Sequence, residues 1–161
     1  METDNPQISA IIKIVSILKE CELNFCLTGG LAVGVYASPR ATEDIDIIIE
    51  NNEDKKIEFL SKLDKDFKIV QHKILSFSFG NIWRIILKDA YLDNLIILDL
   101  IIANSQKLQD AISNPFIITI SGLDIPIIKK EALINMKRLS SRLKDQADIE
   151  SLTAENESDN C

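Results

Sequence analysis

From position 95 to 102 the chain reads Leu-Ile-Ile-Leu-Asp-Leu-Ile-Ile, an apolar run broken by a single carboxylate, Asp99. An extended segment this apolar needs cover on both faces, as strands do inside sheets flanked by helices. The same run sets a chemical problem. A lone carboxylate is costly to bury unless it is paired with a cation or bound to a metal. One stretch therefore demands a layered α/β fold and a partner for Asp99.

The remaining periodicities agree. Pro6 follows Asp4 and Asn5, a favourable helix start. Ile8, Ile11, Ile12, Val15 and Leu18 then recur at helical spacing, predicting a helix over 6–20. Residues 25–28 read as a short buried strand ending at Gly29-Gly30, and 31–36 as a short helix. A loop opens at Ser38-Pro39-Arg40, and 45–49 form a second strand. An amphipathic helix follows over 55–63, then a strand over 67–70. Residues 74–79 and 83–87 flank Gly80-Asn81 as a hairpin. Further pieces are a helix over 106–112, strands over 116–120 and 123–128, and helices over 129–143 and 145–152. The expectation is a single α/β (α+β) domain over 1–152, a mixed β-sheet flanked by helices. An acidic, disordered tail is expected over 153–161.

Composition excludes several classes. No apolar run approaches the roughly 18 residues that cross a bilayer, and the first residues carry acids rather than a basic leader. A cytoplasmic protein without a membrane partner is expected. The three cysteines show no Cys-x-x-Cys spacing, and His72 is the one histidine. A disulfide framework, a thiolate zinc site or a histidine cluster is thus not expected. The net charge of −7 argues against broad, non-specific binding of nucleic acid, while leaving room for a local basic site.

The chemistry concentrates at Leu27-Thr28-Gly29-Gly30 and, after thirteen residues, Asp44-Ile45-Asp46. Residues two apart on a strand share a face, so both carboxylates project together with Cα atoms roughly 7 Å apart. Like charges on an otherwise buried strand repel each other and lose solvation. A divalent cation relieves both penalties. Oxygen ligands without imidazole or thiolate suit Mg2+ or Mn2+. The two glycines permit a tight strand-to-helix turn, and the helix N-terminus beyond offers N–H groups to phosphate. Asp99, on a neighbouring strand, would complete the site and help deprotonate an attacking hydroxyl. Asp89 and Asp93 are its rivals, in a turn where solvated acids are ordinary. Taken alone, a Gly-Gly turn or a strand-ending Asp-x-Asp is commonplace; the conjunction is what carries information.

That conjunction resembles the signature of the DNA polymerase β-like nucleotidyltransferase superfamily: Gly-Gly or Gly-Ser, about a dozen residues, Asp-x-Asp or Asp-x-Glu, and a third carboxylate on a later strand. The local form, Gly29-Gly30 with Pro39-Arg40-Ala41-Thr42-Glu43-Asp44-Ile45-Asp46, is most similar to AbiEii-type and related minimal bacterial nucleotidyltransferases. Those also carry a late basic segment, matched here by Lys137-Arg138 and Arg142-Leu143-Lys144-Asp145-Gln146-Ala147-Asp148. The resemblance implies a nucleotidyltransferase fold and metal-assisted attack of a hydroxyl on the α-phosphate of a nucleoside triphosphate. It implies Asp44, Asp46 and Asp99 as metal ligands, with Asp99 also the base. Thr28, Gly29 and Gly30 would cradle phosphate, and Arg40 and Lys137 would neutralise the triphosphate. Arg40 reads equally as a solvated loop residue, and Lys137 as a charge flanking a packed helix face.

A second glycine replaces the serine of many superfamily members, so no hydroxyl contacts phosphate there. Three functions remain open. One is a toxin- or defence-type enzyme acting on RNA or protein, with a cognate antitoxin as partner. Another is a small-molecule enzyme of the antibiotic-modifying kind. The last is a non-catalytic nucleotide-binding protein.

Overall fold

The computed structural model describes residues 5–37, 43–89, 94–139 and 143–159. Arg40, Thr42 and Asp93 lie outside them. The elements follow in the order α1 (Pro6–Glu20), β1 (Phe25–Thr28), α2 (Gly29–Tyr36), β2 (Asp44–Ile49), α3 (Glu53–Asp66), β3 (Phe67–Phe77) and β4 (Gly80–Asp89). After these come β5 (Leu95–Ile102), α4 (Gln106–Ser113), β6 (Phe116–Ile120), β7 (Leu123–Ile127), α5 (Lys130–Arg138) and α6 (Leu143–Asp159). The seven strands make one mixed sheet in the order β3-β4-β5-β2-β1-β7-β6. The β2–β5 and β1–β7 pairs are parallel, and the other neighbours antiparallel.

The helix starts are chemical. Asn5 caps α1 by accepting from the N–H groups of Gln7 and Ile8, with Pro6 at the first helical position. Asn52 caps α3 at Lys55 N, and Ser105 caps α4 at Leu108 N. The sheet is buried through alternation. Trp83, Ile85 and Leu87 of β4 face the core with Leu98 and Leu100 of β5 and Ile45, Ile47 and Ile49 of β2. Phe59 and Leu63 of α3 and Ile14 and Leu18 of α1 complete that core, all with essentially no exposure. Lys13 of α1 sits over the Phe67 ring, 5.7 Å from its centre.

The opposite face is where β2 presents Asp44 and Asp46, and there the strands are only half covered. No helix among the described residues is long and apolar enough to cross a membrane.

Several boundaries differ from the sequence expectation, among them α5, which ends at Arg138 rather than running to 143. β3 is continuous over eleven residues rather than two pieces, with an irregularity between Ile69 and Gln71. Its exposed polar residues hid the strand because an edge strand is half solvated. The hairpin turns at Ser78-Phe79, two residues before the expected place, leaving Gly80 to open β4 at φ +137°. α6 begins at Leu143 and runs to Asp159, through the stretch expected as a tail. Leu152, fully buried, anchors its middle, and Thr153 Oγ1 donates to the Ile149 carbonyl at 2.7 Å.

Candidate active site

The strand register brings the acids together. In the parallel β2–β5 pair Asp46 lies directly opposite Asp99, and Asp44 opposite Ile97. Directly opposite residues share a face, with neighbouring strands about 4.8 Å apart. Across the antiparallel β1–β2 pair Thr28 lies opposite Asp46. Across β4–β5 Arg84 lies opposite Asp99, and across β3–β4 Lys73 lies opposite Arg84. One transverse row thus reads Lys73, Arg84, Asp99, Asp46, Thr28 over five adjacent strands.

Gly29 follows at the β1-to-α2 junction with φ +69°. A Cβ added there would fall 2.7 Å from Asp46 Cγ and closer still to Asp46 Oδ2. The missing side chain leaves the space that Asp46's carboxyl fills. Gly30 is buried in the first turn of α2. Tyr36, at the far end of α2, donates its hydroxyl to the Ile128 carbonyl at 2.7 Å and fixes the helix against the segment leading to α5. We expect Gly29→Ala to cost about 1–2 kcal/mol from its left-handed backbone alone and to displace the Asp46 carboxyl. Chemical denaturation reads the first effect, and loss of Mn2+ binding reads the second. Unchanged stability would mean that the junction relaxes freely.

Electrostatics single out Asp46. Burial pushes its carboxyl up to about 7, and Asp99 and Asp44 add to the rise. The charges of Lys137 and Lys144 oppose it, so α5 and α6 bring positive charge toward this face. Lys137 itself is buried. Its Nζ lies 3.0 Å from both Asp145 Oδ1 and Asp148 Oδ2, which are buried too. Asp145 stands inside the first turn of α6. Lys137, expected to meet a triphosphate, is thus the centre of a three-residue ionic clasp between two helices.

Asp99 is 4 % exposed and gives both oxygens to one guanidinium. Arg84 Nε donates to Oδ1 and Nη2 to Oδ2, each at 2.8 Å. Sequence reasoning missed Arg84. Its signal was present in Ile82-Trp83-Arg84-Ile85, where the charge alternates with core residues on a strand that could neighbour Asp99. The rival Asp89 sits at the far end of β4 and on the other face from Arg84.

Do these residues fit a divalent cation? Asp44 and Asp46 supply hard oxygen donors on one face, and Asp46's reluctance to ionise is what a nearby cation would relieve. Among the described residues, however, no group of three or more acids, histidines or cysteines is gathered as a metal site. Asp99's oxygens both face Arg84. The pair fits a cation; each oxygen of Asp99 is already engaged by Arg84. A separate surface pocket, lined by Asn24, Glu50, Asn51 and Gln109, lies at the opposite end of β2 from Asp44.

No family model matches the sequence, and no curated protein matches it. Solved structures do match the shape. A Thermotoga maritima protein assigned to the nucleotidyltransferases aligns over 96 % of this chain and 96 % of its own, with a TM-score of 0.60 and 15 % identity. The antibiotic-resistance factor ANT(2'')-Ia aligns over 97 % of this chain and 85 % of its own, at TM-score 0.57 and 17 % identity. JHP933 from Helicobacter pylori aligns over 91 % of this chain and 66 % of its own, at TM-score 0.56 and 15 % identity.

The chain has a nucleotidyltransferase fold.

Within the nucleotidyltransferase fold seen here, β1, β2 and β5 are the adjacent strands that carry Thr28, Asp44, Asp46 and Asp99.

Proposed function

We propose that the chain is a metal-dependent nucleotidyltransferase that moves a nucleoside monophosphate from a triphosphate to a hydroxyl acceptor. The observation that supports this most is the register that sets Asp46 beside Asp99 on parallel strands, next to the Gly29 turn. Asp44 and Asp46 would hold Mg2+ or Mn2+, which when bound supplies charge neutralisation at the triphosphate and at the reacting oxygens. The first-turn N–H groups at Gly29 and Gly30 would take up phosphate at the positive end of α2. Asp99 would accept the acceptor's proton. The acceptor oxygen then bonds to the α-phosphorus, the bond to the bridging oxygen breaks, and pyrophosphate leaves. Lys137 and Lys144 contribute positive potential at this face, Lys137 from within its clasp.

The finer kinship to AbiEii-type enzymes rests on Arg40-Ala41-Thr42-Glu43-Asp44 and on the segment from Arg142 to Asp148. It favours an RNA or protein acceptor in the cytoplasm and a cognate antitoxin as partner. A second reading, a small-molecule acceptor, has its own support. ANT(2'')-Ia, which has been seen in complex with adenylyl-2''-tobramycin, matches this chain over 93 % of its length at TM-score 0.55. α-Labelled triphosphates with Mn2+ should transfer label to one of three acceptor pools: RNA, protein or small hydroxylated compounds. Asp44→Asn should abolish that transfer. Nucleotide binding without transfer to any pool would favour a non-catalytic nucleotide-binding protein.

A further inference from the structure

Arg84 has no step of its own in the proposed transfer. Its guanidinium occupies both oxygens of the acid that would otherwise be the third ligand. We propose that Arg84 is an exchangeable counter-cation: it neutralises Asp99 in the metal-free protein and gives it up when a divalent ion binds. The proposal rests on the metal-dependent reading above.

Asp99 is covered on an apolar strand, so it needs a cation at all times. A bidentate guanidinium meets that need with two parallel charge-assisted bonds. A divalent ion meets it better, but at bond lengths of about 2.0–2.1 Å for magnesium. It would then stand within a few ångströms of the guanidinium, and the two positive charges repel. The two cations therefore compete for one carboxylate.

The strands cannot part to make room. β4 and β5 are paired without a break from Ile82 opposite Ile101 to Lys88 opposite Leu95. Exchange therefore runs through the Arg84 side chain, which is one-third exposed and has solvent to turn into. Lys73, directly opposite on β3 and itself exposed, adds a like charge on the outer side of Arg84. Arg84 is on this view a positioning residue. It keeps Asp99 paired and aimed along the strand row before the metal arrives, and it sets the metal concentration at which the site fills.

The test is Mn2+ titration, by electron paramagnetic resonance of the free ion, of the wild type, Arg84→Gln, Arg84→Lys and Asp46→Asn. Arg84→Gln should bind Mn2+ about tenfold more tightly, the scale of one pKa unit of charge interaction. Its metal-free melting temperature should fall, and the gap to wild type should close at saturating Mn2+. Arg84→Lys keeps the charge but loses the fork, and should fall between the two; it also covers failure of the glutamine variant to fold. In the wild type, the Arg84 Nε–H resonance should move when Mg2+ is added. Equal or weaker Mn2+ binding by Arg84→Gln, with Asp46→Asn still abolishing binding, overturns the exchange and leaves the metal site standing. Mn2+ binding that ignores Asp46 overturns both.

Discussion

Asp46→Asn should produce a protein that is catalytically dead yet more stable than its parent above neutral pH. The sign follows from titration. Asp46 titrates near 7 in the folded chain against an ordinary value of 3.8. Between those values the unfolded chain has lost the proton and the folded chain keeps it. Folding is then weakened progressively as pH rises, and the loss levels off above about 7. Asparagine keeps the volume and removes the titration. The variant should match the wild type near pH 4 and exceed it by about 1–4 kcal/mol at pH 8, from one relieved interaction to the full linkage value. The difference between the two proteins cancels the contributions of the other acids. Mn2+ with a triphosphate should raise the wild-type melting temperature, because the ligand binds only the folded state. The variant should lose most of that rise. Equal ligand-induced shifts would make the carboxylate pair structural.

Lys137→Met should be the most damaging single change outside the carboxylates. The lysine ammonium, Asp145 and Asp148 are all removed from water, and the two 3.0 Å contacts compensate that desolvation. Methionine fills the space but removes the ammonium from both buried carboxylates. Breaking one partner out of a buried ion cluster typically costs about 3–5 kcal/mol. The clasp joins α5 to α6, so the loss should first loosen α6, which hydrogen exchange along residues 143–152 would detect. Combining Lys137→Met with Asp145→Asn and Asp148→Asn should restore much of the stability, since neutral amides tolerate the site better. A loss under about 1 kcal/mol for the single change would mean that α6 is held by Leu152 and its apolar neighbours instead.

The sequence was legible where apolar residues alternate or recur. The helical spacing of Ile8, Ile11 and Val15 gave α1, and the run around Asp99 gave the strand that lies next to Asp46. It was poorly legible at the sheet edge. β3 shows solvent Lys68, Gln71 and Lys73 on one side, and no local pattern says that its partner β4 supplies the missing neighbours. That Asp99 would lie on a strand beside Asp46 could be anticipated because a carboxylate within an apolar run is visible in one dimension. The partners of the buried charges could not. Arg84 is fifteen residues from Asp99 and Lys137 is eight from Asp145, and pairing across strands or helices is a property of register and packing. The glycines were expected to make room for phosphate. Gly29 makes room for Asp46, a contact that depends on the β1–β2 register.

The transverse row from Lys73 to Thr28 also bears on how the chain finds its own shape. The β2–β5 pairing joins residues more than fifty positions apart, so nothing local dictates which isoleucine of one strand should meet which isoleucine of the other. Ile45 to Ile49 and Leu95 to Ile102 are nearly interchangeable as apolar ribbons. A slip of β5 by one residue against both of its neighbours would turn Asp99 toward the face that Leu98 and Leu100 now fill, away from Arg84 and into the core. A slip of β5 by two would keep the faces but separate Asp99 from Arg84 on β4. Arg84 and Asp99 therefore act as alignment marks on otherwise ambiguous ribbons: the acid to which the proposed reaction gives a task also makes misaligned assemblies costly, so that fidelity of folding and the proposed chemistry would reside in the same side chain.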